Sequence, residues 1–344
     1  MGKRIAIVAT YRYSINANDF LMFFRRTEHR VAALLVHYAV TYRDWWRTNR
    51  FDDPAREGLF DPIDKDRDPI RLWYHTEDLI ERLREAGCDV VCFGNGNGVE
   101  QRAAAEAIGR DRCLFSEYGW LPWSRNFYIS RGGCGADSEI TRMTAADLAG
   151  RKIDDRTLDR LRAPFAQGRP LDASDFLYVP LQKDVNDFKF LSAPFRSNEE
   201  FLDFLHETTP RGLHLLVKPH PLYPKKYDLA RYGRMTDITT AGYRKADLYR
   251  KALATVAINS TSILEALLFG GRVFAYGEDI FLNKGLVHYR VREPQAFARA
   301  LDAPVDEERC RQFIALLLER QVERARCLRN DLDYVRSHYW SRAL

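Results

Sequence analysis

The 344-residue chain reads as an α/β protein made of two doubly wound, Rossmann-like domains. Three observations carry that reading. Short apolar runs alternate with amphipathic helical patterns along both halves, the sequence mark of parallel sheets covered by helices. The length exceeds one ordinary domain and suits two. Several apolar runs also stop abruptly in polar residues, most sharply Leu215-Leu216-Val217-Lys218-Pro219-His220-Pro221.

Composition sets the class. Hydrophobic residues at 46% and charged residues at 29% give the balance of a globular protein rather than a disordered one. No apolar run approaches the roughly 20 residues of a spanning helix, and Ile5–Ala9 is too short for a signal-peptide core, so a cytoplasmic location is expected. The six cysteines form no C-x-x-C pair and read as buried reduced thiols, without a structural zinc. A net charge of +5 favours an anionic partner or a membrane face, and no nucleic-acid-binding signature accompanies it.

In order along the first half, Lys3–Ala9 and Val31–Tyr38 are strand-like. Tyr42–Asp68 lacks periodicity and reads as a long excursion. Thr76–Ala86 carries Leu79, Ile80 and Leu83 on one face and ends at Gly87, as an amphipathic helix does. Cys88–Phe93 is a buried strand, followed by Gly94-Asn95-Gly96-Asn97-Gly98, a helix over Val99–Ile108 and a strand over Arg112–Ser116. The glycine turn admits two readings. It is a phosphate contact through backbone amides, or a tight strand-to-helix turn, and it lacks the spacing of a Walker loop. Glu117 sits at a strand end, as a cleft carboxylate or a surface acid of a turn. The polar stretch 145–168 reads as the connection between domains.

In the second half, Phe176–Gln182 is a strand, and Ser197 with Glu200 forms a capping box for the next helix. The run 213–220 reads as a strand that Pro219 and Pro221 terminate, because proline lacks the N–H a continuing strand needs. Ala246–Ala252 is a short helix. Thr255–Asn259 is a strand running into Asn259-Ser260-Thr261 at the start of the helix 263–269, and Arg272–Gly277 is a further strand. Ser and Thr at a helix start are ordinary N-caps, and they also make a ready phosphate site. Lys218, His220, Ser260 and Thr261 stand at ends of strands that an alternating fold brings to one edge. The stretch 307–329, with six arginines, reads either as a basic membrane-interface helix or, preferably, as a docking helix with a solvated face.

Glu117-Tyr118-Gly119, Pro180-Leu181-Gln182 with Asn186-Asp187, Lys218-Pro219-His220-Pro221, and Asn259-Ser260-Thr261 with Glu265-Ala266-Leu267 occur in this order and spacing. The set resembles the capsule polysaccharide biosynthesis proteins that act as β-Kdo glycosyltransferases, and looks most like the members that prime a lipid such as phosphatidylglycerol. The likeness covers residues 88–290. At Gly132-Gly133-Cys134-Gly135-Ala136-Asp137 the chain departs from the family's Gly-Val-Asn-like turn, which leaves the acceptor open.

The resemblance implies a GT-B architecture, two Rossmann-like domains across a cleft. An acceptor-side domain would span 1–168, a donor-side domain 169–305, and a helical segment 306–344 would pack back on the body. It implies CMP-Kdo as donor, a lipid or saccharide acceptor, an inner-membrane location on the cytoplasmic side, and no metal or other cofactor. Gln182, Lys218, His220, Asn259, Ser260, Thr261 and Glu265 would hold the donor. Asp187 would be the carboxylate nucleophile of a retaining reaction, with Asp184 its rival, and Glu117 a base or an orienting group. Two other readings stand beside it: a teichoic-acid-type polyol-phosphate transferase using a CDP-polyol, and a non-catalytic nucleotide-binding protein of polysaccharide assembly.

Overall fold

The alternation read from the sequence becomes two separate sheets. A computed structural model describes residues 2–9, 14–37, 70–73, 75–96, 98–122, 125–183, 192–221, 225–329 and 331–337. The excursion expected at 42–68 lies outside them. Contacts divide the chain into two compact units, residues 1–139 with 317–344 and residues 140–316.

In the first unit the strands are β1 (Arg4–Ala9), β2 (Arg30–His37), β3 (Ile70–Trp73), β4 (Val90–Phe93), β5 (Cys113–Tyr118), β6 (Asn126–Arg131) and β13 (Gln321–Glu323). Their order is β13-β6-β5-β4-β1-β2-β3, with β5-β4-β1-β2-β3 parallel and an antiparallel edge made by β6 and β13. The helices are α1 (Ser14–Phe24), α2 (Thr76–Ala86) and α3 (Val99–Ile108). The ranges read from the sequence for α2 and α3 are the ones observed. Helix α2 ends as its sequence dictates, at Gly87 in the left-handed region with φ 54°.

In the second unit α4 (Glu139–Arg142) and α5 (Asp155–Arg162) precede β7 (Phe176–Pro180), α6 (Asn198–Thr208), β8 (His214–Lys218) and β9 (Met235–Asp237). Then follow α7 (Lys245–Lys251), β10 (Ala252–Ala257), α8 (Thr261–Leu268), β11 (Val273–Ala275), β12 (His288–Tyr289), α9 (Pro294–Asp302) and α10 (Glu307–Arg320). The sheet is wholly parallel, in the order β12-β11-β10-β7-β8-β9. Strand β7 is buried at every residue, the pattern of a strand covered on both faces. The capping box expected at Ser197 forms on one side only. Ser197 Oγ accepts from the Glu200 N–H at 3.2 Å, whereas Glu200 Oε2 accepts from the Arg196 N–H at 2.7 Å.

Residues 140–168, read from the sequence with the first domain, belong to the second unit. Lys284 explains the difference: its fully buried ammonium donates to the carbonyls of Ile140 at 2.6 Å, Leu282 at 2.7 Å and Met143 at 2.9 Å. Burial lowers the Lys284 pKa to about 8, partly opposed by Asp147. Arg162 Nε also donates to the Leu268 carbonyl at 2.9 Å, and Arg311 to that of Ile153 at 3.1 Å.

The C-terminal stretch likewise differs from a single helical segment. Helix α10 stops at Arg320, β13 pairs antiparallel with β6, and only then do α11 (Arg324–Leu328) and α12 (Leu332–Ser337) follow. The break has a local cause. Gln321 Oε1 accepts from the N–H groups of Trp120 and Leu121, both at 3.1 Å, and its Nε2 donates to the Leu121 carbonyl at 2.5 Å. Those bonds fix an extended backbone. Val322, Cys327 and Val335 then join Phe20, Phe23, Phe24 and the inward residues of β1 and β4 in the first core.

Five of the six arginines of this stretch pair with carboxylates within the chain. Arg309 pairs with Asp306 (3.0 Å), Arg311 with Asp155 (2.8 Å), Arg320 with Glu139 (3.4 Å) and Arg326 with Asp331 (2.6 Å). Arg324 makes a bidentate pair with Asp19 of α1 at 2.6 and 2.7 Å, and both side chains are fully buried. Arg324 Nη1 also donates to the Asn126 carbonyl at 2.7 Å, so one guanidinium ties α1, β6 and α11 together. Burial raises the Asp19 pKa and the guanidinium opposes that rise. Among the described residues no helix is long and apolar enough to cross a membrane.

Arg324→Met leaves the Asp19 carboxylate buried without its partner and lowers the unfolding free energy of the first unit by about 3–5 kcal/mol. The double variant Asp19→Leu/Arg324→Met recovers most of that loss. Urea unfolding followed by circular dichroism reads both.

Candidate functional site

Sheet order decides where a site forms in the second unit. The chain lays down β7 first, adds β8 and β9 on one side, then crosses to place β10, β11 and β12 on the other. The direction of building reverses between β7 and β10, and open parallel sheets hold ligands outside the carboxyl ends of the strands at such a point. The three adjacent strands β10, β7 and β8 end there in Asn259-Ser260-Thr261, Leu181-Gln182-Lys183 and Lys218-Pro219-His220.

Gln182 and Asn259 join the two sides of this point. Gln182 Nε2 donates to Asn259 Oδ1 at 2.9 Å, and Asn259 Nδ2 donates to Ser192 Oγ at 3.1 Å. Both amides are almost wholly buried, so each must find partners within the chain. The backbone of Gln182 is clamped by the first residue of α6. Its N–H donates to Asn198 Oδ1 at 3.2 Å and its carbonyl accepts from Asn198 Nδ2 at 2.8 Å. Gly277, just after β11, makes room for the network: a Cβ there would lie 3.1 Å from the Asn259 amide nitrogen. The Leu181 N–H continues the ladder to the Lys218 carbonyl at 2.9 Å, which holds the ends of β7 and β8 in register.

Asn259 leads into α8. Ser260 is its N-cap, with Oγ accepting from the Ser262 N–H at 3.3 Å, and Ser260 and Thr261 are both half-buried. The first-turn amides of a helix have no partner within the helix and carry its positive end. On β8, Lys218 is half-buried, and its ammonium has no hydrogen-bond or ion-pair partner among the described residues. Burial lowers its pKa; the Lys245 charge adds to that and Glu265 opposes it. A half-buried ammonium and a helix N-terminus at the carboxyl ends of strands of one sheet are groups of the kind that hold anions. His220 is half-buried two residues further on.

Glu265, on α8, is bound from α7. Lys245 Nζ donates to Oε1 at 3.2 Å and Oε2 at 3.0 Å, and the Tyr249 hydroxyl donates to Oε2. Tyr249 and Tyr178 are buried, and burial pushes both phenols up, out of reach of neutral pH. The sequence reading missed Lys245 and Tyr249. Their spacing of four residues puts them on one helix face, the signal that would have found them.

Glu117 belongs to the first unit, near the end of β5, and is half-buried. Its Oε1 accepts from the Tyr118 N–H at 2.9 Å and its Oε2 from Asn95 Nδ2 at 3.1 Å. The structure therefore brings Gln182, Lys218, His220, Asn259, Ser260, Thr261 and Glu265 to one region of the second sheet, and leaves Glu117 in the other unit. Asp184 and Asp187 lie outside the described residues.

No protein-family model matches the chain. Its sequence is 27% identical over 252 residues to Protein FixF of Sinorhizobium fredii (strain NBRC 101917 / NGR234), which takes in 70% of this chain and 62% of that protein. The chain thus spans less than two thirds of that curated relative. Among solved structures it is similar to Thermosulfurimonas dismutans KpsC, beta Kdo 2,7 transferase, with TM-score 0.51 and 14% identity, covering 87% of this chain and 98% of that one. The fold is of the GT-B type. A second structure from the same organism, KpsC, beta Kdo 2,4 transferase, aligns with TM-score 0.44 and 15% identity over 71% of this chain and 82% of that one. At these identities the likeness is one of fold.

If this region holds a phosphate anion, Lys218→Met weakens its binding, read by calorimetry, about tenfold or more, the worth of one charge-assisted hydrogen bond. In the unsubstituted protein that affinity then falls as the Lys218 ammonium loses its proton, which it does below the ordinary lysine value of 10.5. The Lys218→Met variant lacks that limb.

Proposed function

We propose that the chain is a retaining β-Kdo glycosyltransferase that takes Kdo from CMP-Kdo and delivers it to a lipid or saccharide acceptor in surface polysaccharide synthesis. The observation that carries the reading is the Gln182–Asn259 bond across the point where the second sheet reverses, with the Lys218 ammonium, without a partner among the described residues, on the neighbouring strand. A CMP-sugar carries a single phosphate joined directly to the sugar. One anion cradle suffices for it, and no metal-bound diphosphate site is needed. Lys218, His220 and the Ser260-Thr261 start of α8 form that cradle and stabilise the charge that builds on the departing CMP phosphate. Gln182 and Asn259 shape its floor, and Glu265, held by Lys245 and Tyr249, lines the same side.

The KpsC structure with which the chain shares its fold bears the name of a β-Kdo transferase, and the ordered motifs from Glu117 to Leu267 point to the same chemistry. In this reading the Asp187 carboxylate attacks the anomeric carbon, the bond to the CMP phosphate breaks, and a glycosyl-enzyme ester forms. The acceptor hydroxyl then attacks that carbon, its proton passing to Glu117 while the ester bond breaks and frees Asp187. Two displacements return the anomeric configuration of the donor.

A donor screen read by intact-protein mass spectrometry tests the reading. Incubation with CMP-Kdo adds one Kdo mass, Asp187→Ala abolishes the adduct and the transfer while CMP binding stays within about threefold, and Asp184→Ala retains the adduct. Turnover of CDP-glycerol with none of CMP-Kdo overturns the donor. Full transfer in Asp187→Ala overturns the nucleophile.

A further inference from the structure

The Gly94-Asn95-Gly96-Asn97-Gly98 turn is the motif that the transferase reading leaves unused. Between β4 and α3, it has the setting of an anion loop, but its Gly96 amide is used otherwise. The Gly96 N–H donates to Oε1 of Gln101 at 3.1 Å, and Gln101 is only 2% exposed, so this amide is committed within the chain. Gly96 has φ 74°, and a Cβ there would come within 2.3 Å of the Phe115 ring. The turn is thereby closed down onto β5.

What the closed turn delivers is Asn95. Its side chain, 2% exposed, donates from Nδ2 to Oε2 of Glu117 at 3.1 Å, across the neighbouring carboxyl ends of the parallel pair β4 and β5. The other carboxylate oxygen is occupied by the Tyr118 N–H. A carboxylate only accepts hydrogen bonds, so the residue beneath it must donate, and an amide does so without bringing a charge. These two bonds, one to each oxygen, fix the plane of the carboxylate.

We propose that Asn95 is a positioning residue for Glu117, and that the glycine turn with Gln101 exists to hold it there rather than to bind phosphate. The proposal rests on the reading of Glu117 as the group that takes the acceptor's proton. Asn95 touches neither donor nor acceptor. It fixes the direction of the base and, by donating to the ionised form, keeps that form favoured. An aspartate at the same place would put a second carboxylate within hydrogen-bond distance and force the two to share a proton.

Two readouts test this, one without any assay of transfer. In protein labelled with δ-13C-glutamate, the Glu117 resonance is identified by its disappearance in Glu117→Gln. Its titration midpoint is expected to move up by about one pH unit or more in Asn95→Asp, and by less but in the same direction in Asn95→Ala. A midpoint unmoved in whichever of these variants folds overturns the proposal. In transfer kinetics, Asn95→Ala lowers kcat about tenfold while kcat/KM for the donor stays unchanged, since Glu117 acts in the second displacement, and the acid limb of kcat/KM for the acceptor moves up. Wild-type kcat with an unmoved limb overturns it as well. If the midpoint moves while the unsubstituted protein transfers no sugar, the pairing of Asn95 with Glu117 stands and the transferase reading falls.

Discussion

The hydrogen bond between Gln182 and Asn259 ties the two strands between which the second sheet changes direction, and the arrangement of the polar groups at the carboxyl ends of these strands depends on it. In a parallel sheet covered on both faces, side chains along the strands have to be mostly apolar, and the inner residues of β7, β8 and β10 are nearly all so. Polar groups gather where the strands stop. The two buried amides satisfy each other and Ser192, which removes the cost of burying them. Lys218 and the start of α8 lie at those ends.

The two cations of this region are held differently. Lys245 spends its charge on Glu265, which Tyr249 also binds, so this trio is complete within the chain. Lys218 sits close enough to both to feel them, yet bonds to neither. Such a residue costs stability, since burial disfavours its charged form. Lys284 shows the contrast. It is buried more deeply, but three carbonyls surround its ammonium, and its role is to hold residues 140–143 to the second unit.

In the first unit the same economy of donors governs the carboxylate. Glu117 carries a hydrogen bond on each oxygen, one from its own neighbour in sequence and one from a turn that glycine allows to close on Phe115. The C-terminal chain completes this unit through Arg324 and Gln321. Gln321 caps the backbone of Trp120 and Leu121, a few residues beyond Glu117, so the far end of the chain shapes the loop that follows the carboxylate.

The sequence by itself determined the α/β class, the bounds of α2 and α3, and which strands end in polar groups, because periodicity and breakers are local properties that burial then enforces. It also showed Lys218, Asn259 and Ser260 as candidates, since each stands where an apolar run ends, and Gln182 through the family resemblance. Three things depended on tertiary structure. The strand order that sets β10, β7 and β8 side by side is a matter of crossovers, to which no single segment testifies. The break after Arg320 follows from the side chain of Gln321 meeting a loop 200 residues away, and that contact overrides a helical pattern. The meaning of the arginines and of the glycine turn was also decided in space. A run of charges or glycines reads alike whether its groups face solvent, a ligand or each other, and only the distances to Asp19, Gln101 and Glu117 tell these apart.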